Sequence, residues 1–125
     1  MENTRIEINE EERSIIFDLI LPLNPKNNEL VDLYSEFMFK LKNAKVNYDQ
    51  VPDKVISLGK TISIKTSFGS KSGITIVLPK NTNVDQNKYS VFSILGCTLF
   101  GHKEGDIVRW KSHRFIEEIE ILSVR

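Results

Sequence analysis

The hydrophobic period of the chain changes near residue 44. Before that point apolar residues recur at steps of three and four; beyond it they alternate, or gather in short runs bounded by glycine and proline. Ile15, Ile16, Leu19, Ile20 and Leu23 mark a first helical stripe. Asn9, with Glu12 three positions on, has the spacing of a capped helix start, so a helix is predicted from there to about Leu21. Leu30, Tyr34, Phe37, Leu41 and Ala44 form a second stripe, a coiled-coil-like seam of about two heptads, with Asn27 or Asn28 as its cap. Between the stripes, Pro22, Leu23, Asn24, Pro25, Lys26 and Asn27 form a connector, because proline removes backbone donors and biases the preceding residue away from helix. At ~1.5 Å per residue the helices would be ~18 Å and ~24 Å long. Helices this short are marginal alone, so a stubby antiparallel hairpin is expected that leans on itself, on the body or on a partner.

The second half reads as strands. Asn47, Asp49, Pro52 and Asp53 suggest a linker, and alternation begins at Lys60-Thr61-Ile62-Ser63-Ile64-Lys65. Ser67 to Gly73 is expected to be the turn of a hairpin that returns through Ile74 to Leu78 and stops at Pro79. Lys88 to Phe92 is a further strand. Ser93 suits the N-cap of a short helix from Ile94 to Phe100, with Gly101 at its left-handed stop. Gly105-Asp106 turns the chain into Ile107 to Lys111, and Arg114 to Val124 forms the last strand. Val91, Ile94, Leu95, Leu99, Phe100 and Ile107 are expected in the core, with Trp110 a further candidate. The fold class is therefore α+β: a short antiparallel helical hairpin over residues 1–46, then a mostly antiparallel sheet with one embedded helix over residues 51–125.

Composition narrows the class. A chain of 125 residues is long enough to bury a core without disulfide or metal staples. Cys97 is the single cysteine, no basic-then-apolar leader opens the sequence and no apolar run reaches ~20 residues, so a cytoplasmic chain without a membrane span is expected. The net charge is zero but uneven: residues 1–50 hold six Lys/Arg against ten Asp/Glu, and residues 51–125 hold eleven against seven. The basic excess, including Lys60, Lys65, Lys71, Lys80, Lys88, Lys103, Arg109, Lys111 and Arg114, admits nucleic-acid binding, but lysines spread over several strands equally suit protection of sheet edges.

Reactive chemistry is sparse. His102 and His113 lack metal-ligand spacing, Cys97 suits a small buried residue, and Glu104 and Asp106 flank a turn glycine. There is no phosphate loop, dinucleotide fingerprint or nucleophile elbow. No catalytic residue, metal or cofactor is expected.

Three segments, Val55-Ile56-Ser57-Leu58-Gly59-Lys60-Thr61, Ile74-Thr75-Ile76-Val77-Leu78-Pro79 and the run from Tyr89 to Trp110, resemble in order and content the C-terminal domain of the bacterial Gre transcription elongation factors. The resemblance covers residues 51–124 and implies an FKBP-like sheet wrapped on a helix. The short helical pair, with Arg5-Ile6-Glu7-Ile8-Asn9 before it, resembles the Rnk group rather than the long coiled coil of the cleavage factors. The family implies RNA polymerase as partner, at the rim of the secondary channel, with nucleic-acid contact at most indirect. Phe92, Ser93 and Ile94 match the Asp-Ser-Pro by which Gre factors dock, and only the serine is retained. Phe92, Ser93, Ile94, Leu95, His102 and Lys103 are thus the expected docking residues, and Pro22 to Asn27 the arm tip. Stimulation of transcript cleavage needs carboxylates at that tip to hold a catalytic Mg²⁺. The connector has none; Asp18 and Glu29 only flank it. Docking without cleavage stimulation is therefore expected. The alternatives are a true cleavage factor and an FKBP-like prolyl isomerase or chaperone-type module built around Phe92, Phe100, Trp110 and Phe115.

Overall fold

The structure, a computed structural model, describes residues 5–111 and 116–125. Strand β1 (Glu7–Asn9) runs into helix α1 (Glu10–Ile20), and helix α2 (Asn28–Lys42) runs into strand β2 (Lys45–Asn47). Asn9 caps α1 by accepting from Glu12 N, and Asn27 caps α2 by accepting from Glu29 N and Leu30 N, so both helix starts lie where the asparagines predict them. β1 and β2 pair in parallel, Ile8 opposite Val46, and close the helical hairpin at its base. Neither strand is expected from the sequence: three residues are too few to show alternation, and Lys45 and Val46 fall in the span expected as helical hairpin, with Asn47 in the linker.

The body is a five-stranded sheet of β3 (Thr61–Thr66), β4 (Gly69–Val77), β5 (Lys88–Ser90), β6 (Ile107–Lys111) and β7 (Ile116–Val124), in the order β5-β4-β3-β7-β6. All neighbours are antiparallel except β4 and β5, which are parallel. Helix α3 (Ile94–Leu99) lies against the sheet, capped by Ser93 Oγ, which accepts from Gly96 N. Ile62, Ile64, Ile74, Ile76, Ile119 and Ile121 point inward from the sheet and meet Leu99 and Phe100 beneath α3. The same continuous core takes in Ile6, Ile8, Ile16, Ile20, Phe37 and Leu41 from the helical hairpin.

Three expectations need correction. The loop expected over residues 67–73 is only a tight turn at Ser67-Phe68, because β4 already starts at Gly69. Gly69 and Gly73 have φ of 118° and 74°, and the register between β3 and β4 shifts between Ile62 and Ile64, so the glycines serve the turn and a bulge rather than a loop. The carboxylate of Glu117 accepts from Ser67 N and Ser67 Oγ, each at 3.0 Å, and ties the turn to β7. Second, Ile94 and Ile107 are 40% and 53% exposed, so neither belongs to the core; Ile94 sits at the open start of α3 and Ile107 on the outer face of β6. Third, only Ile16 and Ile20 of the first stripe are buried, since α1 has contact along one narrow line. His113, Arg114 and Phe115 lie outside the described residues.

Gly101 joins the two halves. Its N–H donates to Ile56 O and its carbonyl accepts from Glu7 N, both at 3.0 Å, so the turn after α3 bridges the body and β1. Its φ is +84°, and a Cβ built on it would lie 2.6 Å from Ile6 Cβ. Gly59 has a similar φ of +88° but open space around it. Gly59→Ala should cost about 1 kcal/mol from backbone strain alone. Gly101→Ala should cost about 2 to 4 kcal/mol, because overpacking against β1 is added. Urea denaturation of the two variants checks the difference, and equal losses would show that the contact with Ile6 relaxes freely.

Candidate functional site

The predicted docking residues fall at the start of α3 and in the turn after it, but they are not equally presented. Ile94 and Lys103 are exposed, while Ser93 and Leu95 are half-buried. Ser93 is also occupied structurally: its hydroxyl donates to Ser90 O at 2.6 Å while accepting from Gly96 N. Phe92 is only 7% exposed, with its ring edge-on to Tyr34 and Phe37 at 6.1 and 6.5 Å. Phe100 likewise packs edge-on to Phe37. These two rings fill the core, so they do not form the concave aromatic pocket that proline isomerisation would need. Pro22, Leu23, Asn24, Lys26 and Asn27 are exposed and Pro25 is half-buried.

His102 is 5% exposed and belongs to a buried polar cluster that the sequence did not reveal. Lys40 of α2 reaches across to it, with Nζ 3.1 Å from His102 Nε2 and 3.4 Å from the carbonyl of Thr98. His102 Nδ1 lies 3.6 Å from Asp106 Oδ2 and makes no hydrogen bond. Burial and the Lys40 ammonium push His102 down to about 3, and burial pulls Lys40 down to about 8. At neutral pH the imidazole is therefore uncharged. Since the ammonium can only donate, Nε2 must be the acceptor, which leaves the proton on Nδ1 facing Asp106. The signal for Lys40 was its position: Leu33, Phe37 and Lys40 follow one another at steps of four and three on the inward face of α2.

Cys97, beside this cluster, is pushed up to about 12 by burial and points its Sγ at Val91 O, 3.4 Å away. A protonated, enclosed thiol is no nucleophile. Glu12 is also raised by burial, though Leu58 N donates to its carboxylate. Among the described residues no three His, Cys, Asp or Glu side chains converge as a metal site. No described helix is long and apolar enough to cross a membrane.

A groove of about 900 Å³ opens above the cluster, with α2 on one side and β6 on the other. Its lining includes Leu33, Phe39 and Trp110, and the cations Arg5, Lys40, Lys42 and Arg109. Among the described residues Glu36 is the one carboxylate in that lining.

Comparison with known proteins identifies the class. Residues 51–125 match the family model of the C-terminal domain of transcription elongation factors GreA/GreB, and the chain belongs to this family. It is 31% identical over 85 residues to transcription elongation factor GreA of Thermotoga petrophila, covering 67% of this chain and 54% of that one. To GreA of Thermosipho africanus it is 33% identical over 72 residues, covering 57% and 46%. The chain thus spans about half the length of the curated relatives it matches. Among solved structures it resembles a prokaryotic transcription elongation factor GreA/GreB from Nitrosomonas europaea, with a TM-score of 0.75, 19% identity and 98% of both chains covered. Gfh1 of Thermus aquaticus is similar with a TM-score of 0.52 and 18% identity, over 93% of this chain and 83% of that one. At these identities the structures establish a shared fold.

The buried imidazole predicts a pH dependence. Unfolded His102 takes up a proton below about 6.5 and the folded one does not until about 3, so the unfolded chain binds more protons in that window and stability falls as pH falls through it. Unfolding free energy should drop by about 1 kcal/mol per pH unit between pH 6 and 5 from this group. His102→Gln, whose amide oxygen can still accept from Lys40, should remove that part of the slope. Denaturant titrations of both proteins across pH 5–7 measure it; identical slopes would place the imidazole in contact with water.

Proposed function

We propose that this chain is an RNA polymerase-binding transcription factor that docks through residues 51–125 and does not itself stimulate transcript cleavage. Family membership supports polymerase as the partner. The observation that carries the second half is the exposed connector between α1 and α2, which presents Lys26 and no carboxylate. Asp18 and Glu29 are helix-borne, on opposite sides of it, and Glu29 lies in the first turn of α2, where it favours the helix dipole. A loosely flanking pair lacks the converging oxygen ligands by which a second catalytic Mg²⁺ is held beside a scissile phosphate.

The docking surface in this proposal is the open start of α3 with the following turn: Ser93, Ile94, Leu95 and Lys103 make contact, while Phe92 and His102 support them from beneath. The hairpin over residues 1–46 is the arm, directed toward the secondary channel from its rim, and its length is what the chain would share with Rnk-like members. Such a protein occupies the channel entrance in the cytoplasm, in competition with cleavage factors, and delivers no reactive group.

Stalled elongation complexes test the absence of cleavage. Added protein should leave the rate of RNA shortening unchanged while it binds core polymerase in a pull-down that a Gre factor competes. Robust stimulation of shortening would assign the chain to the cleavage factors instead.

Docking is tested separately with Ile94→Glu and Lys103→Glu, both at exposed positions. Each should weaken polymerase binding by about tenfold, or ~1.4 kcal/mol, while Lys65→Glu, on the exposed face of β3 opposite the inward Ile62 and Ile64, should not. Unchanged affinity in both variants, with the fold retained, would move the contact elsewhere on the molecule.

A further inference from the structure

Lys60, just before β3, holds its ammonium among main-chain oxygens. Its Nζ donates to Val55 O at 2.8 Å and to Pro52 O and Asp53 O at 3.1 Å each. An ammonium has three N–H bonds and accepts nothing, so these three carbonyls saturate it. Hydrogen bonds from a charged donor are roughly twice as strong as neutral ones. The result is a small cage, in which three oxygens of one loop converge on a point that a cation must fill, since without one their dipoles would repel at close range.

The caged segment is also the seat of the docking turn. Ile56 N donates to His102 O at 2.8 Å, Gly101 N to Ile56 O at 3.0 Å and Glu104 N to Lys54 O at 2.9 Å, so residues 54–56 run beside residues 101–104 as a short ladder. Val55 and Lys103 face each other across it in an antiparallel bridge. Val55 thus gives its carbonyl to the cage and stands opposite the residue whose exposed side chain belongs to the docking surface. Lys54 and Glu104 add an ion pair at 3.6 Å, which at the surface contributes little. The side chains of Val55 and Ile56 are buried and anchor the segment. What the cage adds is the orientation of its peptide groups, and with it the register of the turn. The same loop reaches the arm, where Leu58 N donates to the Glu12 carboxylate of α1 at 3.5 Å.

We propose that Lys60 is a positioning residue for docking: its ammonium fixes the peptide planes of residues 52–55, these hold the turn over residues 101–104 in register, and Lys103 is thereby presented beside the open start of α3. Lys60 itself does not touch the partner. The inference rests on the docking surface proposed above. An arginine cannot take the place of this lysine, because its planar fork spreads the donors apart instead of gathering three carbonyls on one nitrogen. A role as mere surface charge predicts the opposite.

Three variants of the full chain separate the alternatives. Lys60→Met keeps the stem and loses the charge, Lys60→Arg keeps the charge and loses the cage, and Lys60→Ala leaves room for n-propylammonium. Binding to core RNA polymerase is measured where circular dichroism shows each variant fully folded, and hydrogen exchange of the free chain is followed at the Ile56, Gly101 and Glu104 amides. Binding should weaken about fivefold in all three. Exchange at the three amides should accelerate about tenfold, with the amides inside β3 and β4 unchanged. In Lys60→Ala, n-propylammonium should restore slow exchange and binding relative to the unsubstituted chain in the same buffer, and tetramethylammonium, which has no N–H, should not. Full binding by Lys60→Arg with loss only in Lys60→Met would show the charge meeting the partner directly and would overturn the proposal. So would unchanged exchange at the three amides, or acceleration spread evenly through the sheet. If the unsubstituted chain fails to bind polymerase, the docking reading falls and Lys60's part in docking with it, while exchange still decides whether the cage holds the turn.

Discussion

The close approach of β1 to Gly101 is the constraint on which the rest of the structure depends. The glycine lies in a left-handed turn just after α3, near enough to Ile6 that no side chain fits between them, and its two peptide groups bond Ile56 on one side and Glu7 on the other. Release of that contact would separate Ile6 and Ile8 from the core they share with Leu99 and Phe100. The Phe37 ring, edge-on to Phe92 and Phe100, joins α2 to α3 beside it. Through this junction and the contacts beside it a helical hairpin too short to stand alone acquires a fixed base on the body. The direction of the hairpin, and with it the position of the connector, is set by packing rather than by a linker.

The same packing explains what was legible in the residues and what was not. Asn9, Asn27 and Ser93 announced their helix starts because capping is a local transaction between a side chain and the next few N–H groups. Inward isoleucines of β3 and β4 were equally visible, since alternation survives in the sequence whatever the strand pairs with. The parallel pairing of β1 with β2 was invisible: its partners lie 38 residues apart and each strand is three residues long. Ile94 and Ile107 misled for a different reason, as apolar identity does not say which face of a short element meets the core. The candidate site followed the same division. Exposure of the connector and of Lys103 could be anticipated from proline and turn chemistry, whereas the meeting of Lys40 with His102, 62 positions away, depended on the tertiary fold.

That meeting has a cost which the surroundings hold in check. An ammonium and an imidazole that share a buried site cannot both be charged, so the histidine stays neutral and orients by its proton toward Asp106. The arrangement keeps a positive charge at the floor of the groove without adding a second one. It also gives α2 a polar tie to the turn after α3, in parallel with the aromatic contacts of Phe37 a turn away.

The enclosed sulfur of Cys97 has a consequence for following the molecule in solution. Burial raises its pKa and so disfavours the thiolate that oxidants and alkylating reagents attack in the folded state. Since it is the sole sulfhydryl, any label it acquires records a local opening of the packing around α3. The chain therefore carries an internal clock of its own opening, silent while the fold holds.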